Sequence, residues 1–421
     1  MGFLDKFFPQ EKQNGNYALA LDIGTDLVKA LIFEIKPEEQ RGYVIGVGRQ
    51  KQKLSDIHAG AVTDIQGVVR SAEKAIETAE KMADVKPDQV ILGIAGELVK
   101  GITTNVHYER KKPKVKIDFP ELKNILQKVQ WQAFNKVRKQ LSWETGLDEI
   151  DVKLINAAIV DVRIDGYRIA NPIGFQGKDV SISIFNAYAP LVHLGALESI
   201  STDLEMDLLS IAAEPYAVAS CQDLEDSKEF SAIFIDIGGG TTDVAVVKNG
   251  VLEGTKMFGL GGRAFTKRLA NELKVNFSEA EETKLKYSKN LLKQDLVKQV
   301  KKALDSDCQV WLSGVELALS EFDNIDHLPS EILLCGGGSA LLGIKSALQS
   351  EDWIKNLPFT KKPKINFLKP ADVTSIVDKT GLLKSQQDVT PMALANLALD
   401  LAGEEEPLQG ILRKVVNMMH T

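Results

Sequence analysis

The same short phrase, Asp-Ile-Gly, occurs twice in this chain, at 22–24 and at 236–238, more than two hundred residues apart. Each copy ends an apolar run and leads into small and hydroxyl-bearing residues. The first continues with Thr25, after Gly24; the second runs through Gly238, Gly239, Gly240, Thr241 and Thr242. Converging backbone N–H groups of a tight turn bind phosphate, and glycine permits both the turn and the close approach of a ligand to the main chain. A carboxylate at such a turn repels phosphate but suits Mg²⁺, held through water because that ion sheds its hydration shell reluctantly. Asp22 and Asp236 are therefore the candidate metal residues of a Mg²⁺-bound phosphate tail. A structural hairpin turn capped by Asp236 is the plainer reading of the second copy, and the existence of the first weighs against it. No GxxxxGK[ST] loop occurs in the chain, so this is not a Walker-type site. A third glycine turn, Gly336, Gly337, Gly338 and Ser339 in ILLCGGGSALLGI, suits contact with a ribose, a phosphate or a purine face.

These turns need strands to carry them. YALALDIG and VKALIFEI read as two arms of a hairpin, and GYVIGVGRQ as a third strand. Residues 64–84 have helical spacing, with Ile65, Val68, Val69, Ala72, Ala75, Ile76 and Ala79 on one side. The likeness of LDIGTDLVKALIF (21–33) to IDIGGGTTDVAVV (235–247) marks an internal repeat, and two such hairpins imply two related lobes facing each other. Between them, QVILGIAG, a charged proline-flanked loop, a helical stretch and three strand candidates suggest an inserted subdomain at about 89–190.

At 421 residues the chain is too long for one growing core, so more than one domain is expected. It carries 51 Lys and Arg against 58 Asp and Glu, a formal net charge of −7, which excludes the basic footprint of a nucleic-acid binder. Cys221, Cys308 and Cys335 form no CxxC pair and read as buried, reduced thiols of a cytosolic protein. The histidines have no HExxH spacing. No apolar run reaches the ~20 residues that cross a bilayer, and no leader pattern starts the chain.

The ordered set DIGT (22–25), AEPYAVA (213–219), DIGGGTTD (236–243) and CGGGSALLG (335–343) resembles the actin-like ATPase superfamily. The resemblance is closest to the cell-division protein FtsA. It is supported by DGYRIANPIGFQGKDVSISI (165–184), GLGG (259–262), SEAEETKLKYS (278–288) and TPMALANLAL (390–399). It implies an α/β, ribonuclease H-like duplicated, two-lobe fold with an inserted SHS2-type subdomain, binding ATP and Mg²⁺ between the lobes. The expected division is an N-terminal segment and linker (1–16), a first lobe (17–88), the insertion (89–190) and a second lobe with return to the first (191–403). That second lobe includes an upper subdomain at 262–330, and a short linker with a C-terminal helix (404–421) follows. By resemblance, Glu214 orients a water near the γ-phosphate, and Gly261 and Gly262 form a turn near the nucleotide. Glu281 and Lys284 contact ribose and adenine, and Gly336 to Ser339 line the adenosine. Asp26 stands where FtsA proteins commonly carry an uncharged residue, and Asn396 where they usually have glycine.

Both ends carry apolar stripes. Phe3, Leu4, Phe7 and Phe8 share one face of MGFLDKFF, and Ile411, Leu412, Val415, Val416 and Met419 share one face of QGILRKVVNMMH, beside Arg413 and Lys414. An apolar face next to cations suits an anionic membrane surface; packing onto the protein itself or onto a partner is the alternative. The FtsA resemblance implies a polymerising scaffold with at most slow ATP hydrolysis, peripheral on the inner face of the cytoplasmic membrane. Its partners would be itself in a filament, the tubulin-like division protein and the membrane through the C-terminal helix. A PilM-like pilus-assembly protein that binds a peptide of a membrane partner is the second expectation. A small-molecule kinase is the third, disfavoured because the lower lobe offers no clear carboxylate base. A chaperone is disfavoured too, because little chain follows residue 400.

Overall fold

Tyr17–Ile23 (β1) and Leu27–Lys36 (β2) form an antiparallel hairpin in register Asp22 to Lys29, and Arg41–Lys51 (β3) extends it. The computed structural model describes residues 16–96, 99–145, 152–221, 230–322, 325–402 and 412. β1 is apolar on both faces because neighbours cover it on either side, the pattern of a central strand. A small hairpin of Ile57–His58 (β4) and Ala61–Val62 (β5) precedes Ile65–Ala83 (α1). The Asp64 side chain caps α1 by accepting from the Gly67 N–H. The expected apolar side of this helix, Val68, Val69, Ala72, Ala75, Ile76 and Ala79, is buried.

Gln89–Ile94 (β6) lies parallel to β1 in this first sheet. Expected to open the insertion, it instead completes the first lobe, because its apolar run is the parallel neighbour that a buried central strand requires. The inserted unit follows: Lys100–Glu109 (β7), Phe119–Thr145 (α2), Val152–Ile164 (β8), Tyr167–Arg168 (β9) and Asp179–Pro190 (β10). The stretch YRIANPIG, expected as a strand, keeps only Tyr167 and Arg168 in the sheet; Pro172 lacks a donor and Gly174 turns at positive φ. Leu191–Asp203 (α3) and Asp207–Ala213 (β11) return the chain to the first sheet, where β11 pairs with β6, and Glu214–Ser220 (α4) begins at once. Residues 191–213 therefore belong to the first lobe rather than the second.

The second lobe repeats the first. Ala232–Ile237 (β12), Thr242–Lys248 (β13) and Val251–Phe258 (β14) form the antiparallel meander. Gly262–Leu273 (α5), Phe277–Ser288 (α6) and Gln294–Ser320 (α7) follow, then Glu331–Cys335 (β15), Leu342–Leu348 (α8) and Lys364–Phe367 (β16). Finally Ile376–Asp378 (β17) pairs with β3, and Val389–Ala402 (α9) packs on the first lobe. The sheet orders display the duplication: β3-β2-β1-β6-β11 in one lobe matches β14-β13-β12-β15-β16 in the other.

The insertion continues the second sheet, since β7 pairs with β14 at Gly101 and Thr255. A Cβ at Gly101 would lie 2.0 Å from the Thr255 hydroxyl and 2.8 Å from the Phe185 ring, so glycine sets how closely this seam closes. Two large cores result, the first of which also takes in Phe234, Ala245, Val247 and Leu333 from one face of the second lobe's sheet. The first is built from β1, β2, β6, α1 and α9; the second centres on Trp311, Phe265 and Ile235. A third cluster lies between α2 and the strands β8 and β10.

Candidate functional site

The two hairpins put their aspartates at the carboxyl ends of β1 and β12, the edge where open α/β sheets bind ligands. A cleft of about 610 Å³ runs between them. Asp22, Gly24, Thr25, Glu214, Asp236, Gly238, Gly239, Thr241, Gly262, Glu281, Lys284, Gly336, Gly337 and Gly338 all line it. The turns touch: a Cβ on Gly240 would meet the Thr25 hydroxyl at 2.6 Å, and one on Gly239 would meet Asp26 at 3.1 Å. Gly240 thus serves the contact between turns and does not line the cleft.

Three further expected residues stand behind the wall. Thr242 is fully buried; its hydroxyl donates to the Leu260 carbonyl at 2.6 Å and accepts from the Trp311 indole N–H at 3.0 Å. Strand alternation turns it away from the cleft that its neighbour Thr241 faces. Ser339 is spent closing its own turn, donating to the Gly336 carbonyl at 2.7 Å. Gly261 packs flat on the second turn, where a Cβ would meet the Gly238 carbonyl at 2.7 Å. It starts α5, whose first N–H groups are already used: Gly262 and Arg263 donate to the Gly238 and Gly239 carbonyls at 2.9 and 2.7 Å. These three hold the loops in place and do not line the cleft.

Hairpin register supplies two residues that motif reading missed. Seven positions after each aspartate comes its cross-strand partner: Lys29 opposite Asp22, and Asp243 opposite Asp236. Lys29 is partly buried, its side chain 12% exposed, and its ammonium contacts Asp22 at 2.8 Å. Burial alone would lower its pKa, but Asp22, Asp236 and Glu214 together hold it above the usual lysine value. Burial pushes the Glu214 carboxyl well up, helped by Asp22, Asp243 and Asp236. Burial likewise raises Asp243 well above the carboxylate range, with Asp236 and Asp22 adding to it, and its Oδ1 has no hydrogen-bond partner among the described residues. Burial also lifts Asp236, against the opposing pull of a hydrogen bond from Thr390 and the charge of Lys29. Three acidic side chains therefore surround one ammonium, with Asp243 crowding two of them, an arrangement that a divalent cation would relieve.

The all-oxygen donor set fits Mg²⁺. Among the described residues no three acidic side chains come together closely enough to ligate a metal directly. Asp22 and Asp236 would hold the ion through its water shell, as its chemistry prefers. The third turn closes the site's floor. Gly336 sits at φ +79°, and a Cβ there would lie 2.0 Å from Asp236 Oδ1, so no other residue fits. Its N–H donates to the Gln386 carbonyl at 3.0 Å. That loop is held by Asp388, which takes Arg49 at 2.8 Å and the Ser385 N–H at 3.0 Å.

Across the cleft, Glu281 and Lys284 form an ion pair at 2.9 Å on α6. Thr266 donates to Glu281, while Lys284 Nζ donates to the Gly262 carbonyl at 2.8 Å. The pair is built into α5 and α6 and faces the cleft. Arg263 was also unforeseen. From α5 it reaches the opposite lobe, where its guanidinium donates to the Thr25 carbonyl and to Ile57 at 3.1 Å. Asp26 lines the cleft and faces this cation, which accounts for a charge beside the phosphate turn. Asn396 is buried in α9, its Oδ1 without a partner among the described residues.

Residues 233–379 match the family model described as cell division protein FtsA. The fold superposes on a chain of a solved PilM–PilN type IV pilus biogenesis complex with a TM-score of 0.63, covering 92% of this chain and 99% of that one at 16% identity. The chain is similar in sequence to FtsA cell-division proteins. It is 29% identical over 283 residues to the FtsA of Neisseria meningitidis, covering 66% of this chain and 62% of that protein. It is 24% identical over 355 residues to the FtsA of Pseudomonas aeruginosa, covering 79% of this chain and 80% of that one. The match to the Escherichia coli FtsA is 27% over 275 residues, 64% of this chain and 60% of the relative. The chain thus spans under two thirds of the length of the Neisseria relative. Kinship with FtsA is supported by family-model matching over the very hairpin, upper subdomain and third glycine turn that build one wall of the cleft.

Proposed function

We propose that this chain binds Mg-ATP between its lobes and works as an FtsA-type scaffold of cell division. It would polymerise and tether the tubulin-like division filament to the inner face of the cytoplasmic membrane. The observation that carries the reading is the convergence of the Asp22 and Asp236 turns, with Lys29 between the carboxylates, on one cleft. Lys29 and the free N–H groups of the glycine turns would hold the phosphates; Asp22 and Asp236 would hold Mg²⁺ through water. Bound Mg²⁺ offsets the phosphate charge. The cation would also draw Glu214 and Asp243 toward their ionised forms, because their raised pKa values come from burial and mutual repulsion. Glu214 would then accept a proton of a nearby water and orient it, which supports slow hydrolysis that regulates assembly. The ion pair of Glu281 and Lys284 would face the ribose and base.

The membrane part of the reading rests on the amphipathic pattern of residues 410–421, of which only Leu412 lies among the described residues; the MGFLDKFF stripe lies outside them. Among the described residues no helix is long and apolar enough to cross a membrane, so any membrane contact there would be peripheral. Pelleting with and without ATP, and with and without anionic vesicles, tests nucleotide, polymer and membrane together. ATP-dependent sedimentation that vesicles enhance supports the scaffold. Loss of residues 404–421 with vesicle association intact would remove the tether.

A PilM-like role is the second reading, supported by a fold likeness that spans nearly all of the PilM-complex chain. Co-purification separates the two: the division filament protein favours the first, a pilus membrane protein the second.

A further inference from the structure

The charged, proline-flanked loop of the insertion takes no part in the cleft. From Arg110 to Ile117 it carries five cations and no acid, in a chain whose formal net charge is −7. Arg110 alone turns inward. It is 3% exposed, holds Glu121 through bonds of 2.9 and 2.8 Å, and donates to the Gly177 and Val115 carbonyls at 3.0 and 2.8 Å. The loop that precedes β10 is zipped to it: the Ile117 N–H donates to the Phe175 carbonyl at 2.8 Å, and the Gly177 N–H to the Pro113 carbonyl at 3.0 Å. Two loops are thus fixed as one tip. Gly174 turns there at φ +86°, and a Cβ on it would meet nothing within 4 Å, so the tip projects from the insertion. The ion pairs nearby belong to Arg110 with Glu121 and Lys178 with Glu109. Asp118 spends its carboxylate on the start of α2, accepting from the Glu121 N–H at 2.9 Å. Lys111, Lys112, Lys114 and Lys116 are exposed and have no ion-pair partner among the described residues. Between them the tip holds Val115 and Phe175 in water, 54% and 48% exposed. A charge run that only solvates the surface needs neither the two apolar side chains nor a buried guanidinium to fix them, since burying a charge is costly unless it is paired.

We propose that this tip is a membrane-binding surface in its own right. Its four lysines engage anionic lipid headgroups, while Val115 and Phe175 enter the boundary between headgroups and acyl chains. The inference rests on the peripheral-membrane reading of the protein but uses no residue of the C-terminal segment, so the two contacts can fail separately. An acidic peptide would answer the same charges, yet it would gain little from two apolar side chains held out on a projecting tip. A lipid surface uses both. Contact through the insertion would also fix which side of the molecule faces the membrane, which one terminal segment cannot do.

Sedimentation of the full chain with phosphatidylglycerol–phosphatidylethanolamine vesicles tests the tip. Each lysine near an anionic surface favours binding about fivefold, so Lys112→Gln combined with Lys114→Gln is expected to weaken partitioning at least about tenfold. Phe175→Ser is expected to weaken it several-fold without touching the charge. Both changes are on exposed side chains, and the melting temperature is expected to stay that of the wild type. A label locates the contact. Cys221, Cys308 and Cys335 are buried, so a thiol-reactive NBD dye on a Phe175→Cys variant reports from the tip. Its emission is expected to rise and shift to the blue with phosphatidylglycerol vesicles and to stay unchanged with phosphatidylcholine ones. Wild-type protein that ignores anionic vesicles overturns the proposal together with the membrane reading. Binding that both variants match, with an unresponsive label, overturns the tip alone and leaves the C-terminal tether standing. Variants that keep vesicle binding but lose a polyglutamate peptide bound by the wild type assign the tip to an acidic partner, and that too overturns the proposal.

Discussion

Asp243 shows how a strand position becomes a chemical one. It is opposite Asp236, buried, raised in pKa and partly unpartnered. Glu214, Asp236 and Asp243 all have folded pKa values above their ordinary ones. Raised carboxylates mean that the folded state binds more protons than the unfolded chain. Without ligand, stability is therefore greatest at or below the ordinary carboxylate pKa and falls as pH rises through the folded values. Thermal melts of the nucleotide-free protein, as pH is taken from about 5 to about 8, are expected to shift downward, and Asp243→Asn to flatten the trend. The same substitution is expected to raise stability at pH 8 by about 1–3 kcal/mol, because it removes a buried charge of the same shape. Two neighbours of the cleft should separate cleanly. Thr242→Val orphans the Leu260 carbonyl and the Trp311 N–H and is expected to cost about 1–3 kcal/mol of stability with nucleotide affinity kept. Gly336→Ala, whose methyl would strike Asp236, is expected to abolish binding of labelled ATP.

At the scale of elements, α5 is the piece that joins the lobes. Its first N–H groups hold the second glycine turn, and Arg263 crosses to the Thr25 and Ile57 carbonyls of the other lobe. Arg263→Ala removes those bonds, each worth about 1.5–3 kcal/mol when one partner is charged. The expected result is a nucleotide off-rate at least about tenfold faster in stopped flow, together with a lowered melting temperature of the nucleotide-free chain, in which the same bonds are made. The hairpins β1–β2 and β12–β13 were legible in the sequence, because alternating apolar runs around a glycine turn have few other conformations. So was α1, whose apolar spacing and Asp64 cap agree. Lys29 and Asp243 were not picked out, though they lie seven residues after the two aspartates. Their meaning depends on register, and register is fixed only when the strands pair. Membership of β6 and β11 in the first sheet was equally hidden, since parallel partners leave no mark on their intervening sequence.

As a whole molecule the chain is two copies of one sheet order facing across a cleft, with an insertion extending one sheet. A ligand that touches both lobes stabilises only the closed arrangement. ATP with Mg²⁺ at a hundred times its Kd is expected to add about 2.7 kcal/mol to stability, seen as a raised Tm that EDTA reverses. An unchanged melt across that range would count against the site. The sequence alone determined the two Asp-Ile-Gly hairpins, the internal repeat and the resemblance to FtsA, because local patterning and motif order survive in linear text. Only the tertiary structure decided that the two turns touch, that Thr242, Ser339 and Gly261 lie behind the wall, and that Arg263 clasps the far lobe. Those outcomes depend on which face of a strand or helix meets a distant neighbour. Such a contact is set by packing of residues hundreds of positions apart, and no local pattern encodes it.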